Sequence, residues 1–148
     1  MPRESLKSKT ERAETILGIL KEEFPEAGCS LNFETPLQLM LATILSAQCT
    51  DERVNIVTKE LFRKYRSAAD FAAAPLVDIE KMVRSTGFYR VKARSIKSCC
   101  EVLINEHDGE VPDTMEELLE LRGVARKTAN VVLGNAFDVN LGVVVDTH

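Results

Sequence analysis

The sequence predicts an all-α protein, and three observations carry that prediction. Apolar residues recur at three- and four-residue spacing along nearly the whole chain, helix-start signals stand in front of each apolar stripe, and no segment sustains the period-two alternation of a strand. The chain has 148 residues, 45% of them hydrophobic, which is enough for one ordinary core.

Ser8 with Glu11 reads as a capping box opening a first helix from Lys9 to Phe24, with Ala13, Ile16, Leu17, Leu20 and Phe24 on one stripe and Pro25 and Gly28 stopping it. Thr35, Pro36 and Gln38 start a second helix that is apolar almost all round through Leu45, so it belongs at the centre of the core. Thr50 or Asp51 caps a third helix bearing Val54, Val57, Leu61 and Tyr65. An alanine-rich turn spans Ser67 to Ala74 and ends at Pro75. Leu76 to Thr86 reads as a short helix closed by Gly87, and Tyr89 to Glu106 as a long one with Ala93, Ile96, Cys100 and Leu103 in line. Thr114 and Glu117 box a helix running to Leu121. Arg122-Gly123-Val124-Ala125 then reverses the chain into a helix from Arg126 to about Leu133. The β-branched run Val143 to Val145 is too short to build a sheet.

Composition narrows the function classes. No apolar leader or membrane-length segment is visible, so a soluble intracellular, cytoplasmic protein without membrane attachment is expected. Cys29, Cys49, Cys99 and Cys100 lack C-x-x-C spacing and read as free thiols, with no metal site within the chain. The net charge of −4 argues mildly against nucleic acid. That average hides a segregation: Val83 to Lys97 holds five cations and no acid, whereas Glu101 to Glu120 holds eight acids and no cation, so one face is open to being basic.

Three features carry chemistry. The glycine-led turn at Gly123 feeds a helix N-terminus, where backbone N–H groups and the dipole favour a phosphate. Lys127 sits in the first turn of that helix beside Arg126, surroundings that disfavour an ammonium, and a Schiff-base nucleophile needs the neutral amine; a snorkelling surface lysine is the bland alternative. Asp146 emerges from Val143-Val144-Val145 and reads either as a helix cap or as a carboxylate that orients the lysine or takes its proton.

The string Leu121 to Val132 (LRGVARKTANVV) followed by Val145-Asp146-Thr147-His148 resembles the helix-hairpin-helix and catalytic aspartate of the endonuclease III family. The resemblance extends to Leu45-Ser46-Ala47-Gln48-Cys49-Thr50-Asp51, to Gly87 through Ala93, and to Gly109-Glu110-Val111-Pro112, spanning about Leu31 to His148. It implies a base-excision repair enzyme on double-stranded DNA carrying a damaged base or abasic site. In that enzyme Lys127 is the amine nucleophile, Asp146 its carboxylate, and Gly123, Val124, Ala125, Arg126 and Thr128 belong to the DNA-binding hairpin. Gln48, with Asp51 in the same motif, and Phe88 are nominated to contact DNA, Gln48 and Phe88 by filling the gap left by a flipped nucleotide. A lysine at 127 implies a bifunctional glycosylase and abasic-site lyase acting on oxidised pyrimidines. It speaks against a mismatch glycosylase, while a non-catalytic binding module and an inactive fragment are the alternatives.

Two departures carry expectations. Family hairpins read G-V-G, and Ala125 in place of the second glycine is expected to forbid an easy positive φ and weaken phosphate grip. The chain also ends directly after the aspartate motif, so the second domain, usually with a four-cysteine iron–sulfur loop, is expected to be largely missing. Residues 1–30 would then form a helix with an exposed apolar stripe, 31–140 the helical domain, and 141–148 the start of the second domain, in a monomer that is marginally stable or poorly active alone.

Overall fold

In a computed structural model, residues 4–145 are described, and among them the chain is helical with no strand. α1 (Leu6–Glu23) begins one turn earlier than expected: the N-cap is Ser5, whose hydroxyl accepts the Ser8 N–H at 3.2 Å. The physical reason lies at Glu4. Its carboxylate takes the Arg12 guanidinium at 2.7 Å and the Ser8 hydroxyl at 3.4 Å, which holds Ser8 inside the first turn and leaves no box at Ser8 and Glu11. None of the residues of α1 is buried, and Ile16, Leu17, Leu20 and Phe24 are 46–63% exposed, the open stripe that the sequence foretells.

α2 (Pro36–Leu45) is the opposite case. Thr35 accepts the Gln38 N–H at 3.2 Å, Pro36 supplies a first helical residue with no N–H to satisfy, and every residue from Leu39 to Leu45 is buried. α3 (Asp51–Lys64) is capped by Thr50, which accepts the Arg53 N–H, and it buries Val54, Val57, Thr58 and Leu61.

The alanine-rich segment is a helix, α4 (Ala68–Ala73), where only a turn was expected. Ser67 accepts the Asp70 N–H while the Asp70 carboxylate accepts the Ser67 and Arg66 N–H groups at 3.0 and 2.8 Å, a reciprocal box built with Asp in place of Glu. Phe71 is anchored in the core beside Tyr65, their ring centroids 5.2 Å apart. α4 lies along α6 (Tyr89–Glu106), whose Lys97 donates to the Ala72 and Ala74 carbonyls.

α5 (Leu76–Val83) tightens into a 3-10 turn over Arg84–Thr86 and is stopped by Gly87 at φ 74°, so the single expected helix is two joined pieces. α6 buries Ala93, Ile96, Cys99, Cys100 and Leu103. Burial pushes the Cys99 thiol up to about 12 and the Cys100 thiol higher still, so both behave as small apolar core residues. α7 (Met115–Glu120) starts at Thr114 as expected, and α8 (Arg126–Ala136) runs three residues beyond Leu133 and packs on α2 and α7. The buried faces of α2, α3, α4, α5, α6, α7 and α8 meet in one apolar cluster. Residues 141–145 are exposed and form no strand, as their brevity predicts.

Candidate active site

The hairpin between α7 and α8 is seated by Gly123. Its φ is 86°, and a Cβ built there would stand 2.9 Å from the Ser95 Cβ and 3.8 Å from the Ile44 Cγ2. Both the backbone conformation and the close approach to Ser95 of α6 therefore demand glycine. Val124 is 6% exposed and pins the turn to the core, and its N–H donates to the Leu121 carbonyl at 3.1 Å. Ala125 corrects one expectation. Its φ of −96° and ψ of 173° are extended backbone open to any residue, so the second hairpin position does not need glycine for conformational reasons. Ala125 is the N-cap of α8 and makes no side-chain cap bond, and the first turn of α8 holds no acid. The leading N–H groups of this helix thus present the positive dipole end without a side-chain acceptor at the cap.

Lys127, the second residue of α8, is half-buried and lines a cleft of about 790 Å³. Four of the residues singled out in the sequence line this one cleft: Gln48, Asp51, Lys127 and Thr128. They come from the end of α2, the start of α3 and the start of α8. Helix ends therefore converge where orphan backbone groups are most numerous. Phe88 is not a lining residue. It caps the N-terminal end of α6, 64% exposed, at φ 46°. Gln48 is likewise exposed, at φ 51°. Arg126 is exposed beside the hairpin. Asp146 lies outside the described residues; Val144, two residues before it, lines the cleft.

Sequence reasoning missed the polar groups that shape the cleft. Ser30 donates its hydroxyl to the Asp51 carboxylate, and Asn55 donates to the Ser30 carbonyl at 2.8 Å and accepts the Asn32 N–H at 2.8 Å, fastening the segment before α2 onto α3. The available signal was the spacing of Asp51 and Asn55, one turn apart on one face. Lys92 was also unrecognised. It is 5% exposed and donates to the Leu45 carbonyl at 2.8 Å and the Thr86 carbonyl at 2.7 Å.

The basic stretch is thinner at the surface than its sequence suggests. Lys92 turns inward and Lys97 is engaged with α4 carbonyls and Glu101, which leaves Arg84, Arg90 and Arg94 exposed. The Arg84 and Arg90 guanidinium groups lie 5.8 and 5.0 Å from the Tyr89 ring centroid.

The cysteines of this chain do not fit an iron–sulfur cluster. Two are buried side by side in α6 with raised thiol pKa values where ligation needs thiolates, Cys29 is exposed and Cys49 half-buried. Among the described residues no three of His, Cys, Asp and Glu gather as a metal-binding group. Among these residues, too, no helix is long and apolar enough to cross a membrane.

Residues 41–148 match the family described as HhH-GPD superfamily base excision DNA repair protein. The chain belongs to that superfamily. Within it, the chain is 57% identical over 141 residues to an endonuclease III of Synechocystis, an alignment covering 95% of this chain and 64% of the relative. The helical body superposes on a solved non-covalent endonuclease III–DNA complex with a TM-score of 0.87 at 48% identity, covering 93% of this chain and 64% of the other. A trapped endonuclease III–DNA covalent intermediate, an estranged-adenine complex, gives the same score, identity and coverage. The chain thus spans 64% of the length of each of these relatives.

Proposed function

We propose that this chain belongs to a bifunctional DNA glycosylase and abasic-site lyase of base-excision repair, which removes damaged bases, oxidised pyrimidines in particular, from double-stranded DNA. The observation that carries the reading is the placement of Lys127 in the cleft, one turn from the hairpin and together with Gln48, Asp51 and Thr128. A phosphate held at the N–H groups of Gly123, Ala125 and Arg126 would anchor the strand, and a nucleotide extruded from the stack would enter the cleft toward the Lys127 amine.

That placement supports a lysine-mediated chemistry. The neutral amine of Lys127 attacks C1′ and the N-glycosidic bond breaks, the base leaving with its electron pair. Cleavage of the C1′–O4′ bond, with a proton passing to O4′, then gives an imine, which acidifies the C2′ proton; removal of that proton expels the 3′ phosphate by β-elimination. Asp146 is assigned the carboxylate that stabilises positive charge at C1′ and exchanges the amine proton. Gln48 and Phe88 are assigned to the space vacated in the duplex, a reading supported by their exposure and their left-handed backbones at two neighbouring loop tips. None of these steps draws on a metal or cofactor within this chain.

The division into a body at 31–140 and a second unit begun by 1–30 and 141–148 is part of the same proposal. It is supported by the exposure of α1 and of residues 141–145, none of which is buried. A monomer working at the nucleoid in the cytoplasm of a bacterium is proposed with it, on the ground that the relative at 57% identity is bacterial.

The test is borohydride trapping on duplex DNA with one abasic site. A covalent protein–DNA band is expected with the parent chain and is expected to vanish in Lys127→Gln, while binding to intact duplex persists. A trapped band that survives in Lys127→Gln would assign the nucleophile elsewhere. No band from a folded, DNA-binding parent would leave the two alternatives, a binding module or a fragment that is inactive alone.

A further inference from the structure

Lys92 sits one turn into α6 with its ammonium out of water, and burial draws its pKa below the ordinary lysine value. An ammonium in that position is tolerated only if its donors are used, and both of its hydrogen-bond acceptors are carbonyls at the C-terminal ends of short helical pieces. Leu45 closes α2 and Thr86 closes the 3-10 turn, where carbonyls have no helical partner and the dipole is negative. The two pieces are 41 positions apart in sequence, and one nitrogen holds both.

Each of these carbonyls stands just ahead of an exposed residue in left-handed backbone. Gln48 lies three residues beyond Leu45 at φ 51°, and Phe88 two residues beyond Thr86 at φ 46°. Side-chain-bearing residues hold that conformation only where their surroundings over-determine it. Each carbonyl gripped by Lys92 therefore lies within three residues of one of these positions.

We propose that Lys92 is a positioning residue for DNA distortion: by holding the ends of α2 and the 3-10 turn together, it sets the spacing at which Gln48 and Phe88 enter one gap in the duplex. The proposal rests on the assignment of Gln48 and Phe88 to that gap. It predicts that the two side chains act as a coupled pair, and that the coupling belongs to Lys92.

The experiment is a coupling measurement with the full chain on a duplex holding a stable abasic analogue opposite 2-aminopurine, whose fluorescence reports loss of stacking, with intact duplex as the reference. Affinity ratios and fluorescence are read for the parent, Gln48→Ala, Phe88→Ala and the pair, each in the Lys92 and Lys92→Met backgrounds. In the parent background the two losses are expected to be non-additive by about fivefold, and in Lys92→Met that coupling is expected to disappear while intact-duplex affinity is kept. If Lys92→Met does not fold, Lys92→Gln, which is too short to bridge both carbonyls, carries the same expectation.

A lysine that serves folding alone would lower stability and all binding together and leave the coupling at its parent value, which would overturn the inference while the gap-filling assignment stands. Parent-like fluorescence and affinity in both Gln48→Ala and Phe88→Ala would overturn that assignment and the inference with it.

Discussion

α1 and α2 are announced in the sequence by the same kinds of signal, a hydroxyl cap ahead of apolar residues at helical spacing, and they end in opposite surroundings. α1 has 18 residues and buries none; α2 has ten and buries the seven from Leu39 to Leu45. The caps and local pairs that hold α1, such as Glu4 with Arg12, act within a turn or two and are satisfied without any neighbour. Burial is a property of what lies opposite, and for α2 that is α3, α6 and α8. Helix formation and core membership are therefore separate outcomes, and the second decides how much a side chain contributes to stability.

The largest test of that contrast is a pair of truncations. Leu41→Ala is expected to lower unfolding stability by about 2–5 kcal/mol, and Leu17→Ala by less than about 0.5 kcal/mol, read as urea midpoints on monodisperse protein. Comparable losses at the two positions would break the contrast by showing α1 covered in solution. The hairpin should behave like α2 in spite of its exposed surface. Gly123→Ala forces a side chain into left-handed backbone and into the Ser95 side chain, and a loss of about 2–3 kcal/mol is expected in the same assay.

Smaller effects come from local caps. Ser67→Ala removes one half of the α4 box and is expected to cost about 1 kcal/mol. The other half makes a pH prediction. Backbone N–H bonds from Arg66 and then Ser67 hold the Asp70 carboxyl below its ordinary value. Its contribution is therefore complete above the unfolded value of about 4 and is lost as pH falls through the lower folded value. Asp70→Asn should flatten that part of the acid limb of a melting-temperature profile, and an unchanged limb would place the acid sensitivity elsewhere.

The smallest folding effect is expected at Ala125→Gly, within a few tenths of a kcal/mol, because the position is extended and exposed. Under the proposed function it should nonetheless tighten DNA binding by removing a Cβ beside the phosphate. A titration at fixed salt that shows no change or weakening would remove that steric role.

Most helices were legible in the sequence because caps and apolar spacing are local facts. Thr35, Thr50 and Thr114 cap where they are expected, while Ser8 does not, since a competing carboxylate at Glu4 lies upstream of the spacing that suggested it. α4 escaped because its box uses Asp and its interior is alanine, which carries helix propensity without a stripe.

Of the candidate site, Lys127 and the hairpin were legible from motif and position. The convergence of Gln48, Asp51, Lys127 and Thr128 on one cleft, the clamp of Asn55 on Ser30 and the inward turn of Lys92 were not. The sequence alone determined where most helices begin and which helix is apolar all round, because those depend on neighbours a few residues away. Only the tertiary structure decided that Ala125 is unstrained, that α1 lies uncovered, and that two loops 41 residues apart share one ammonium. Each of those depends on a distance between groups whose separation along the chain says nothing about their separation in space.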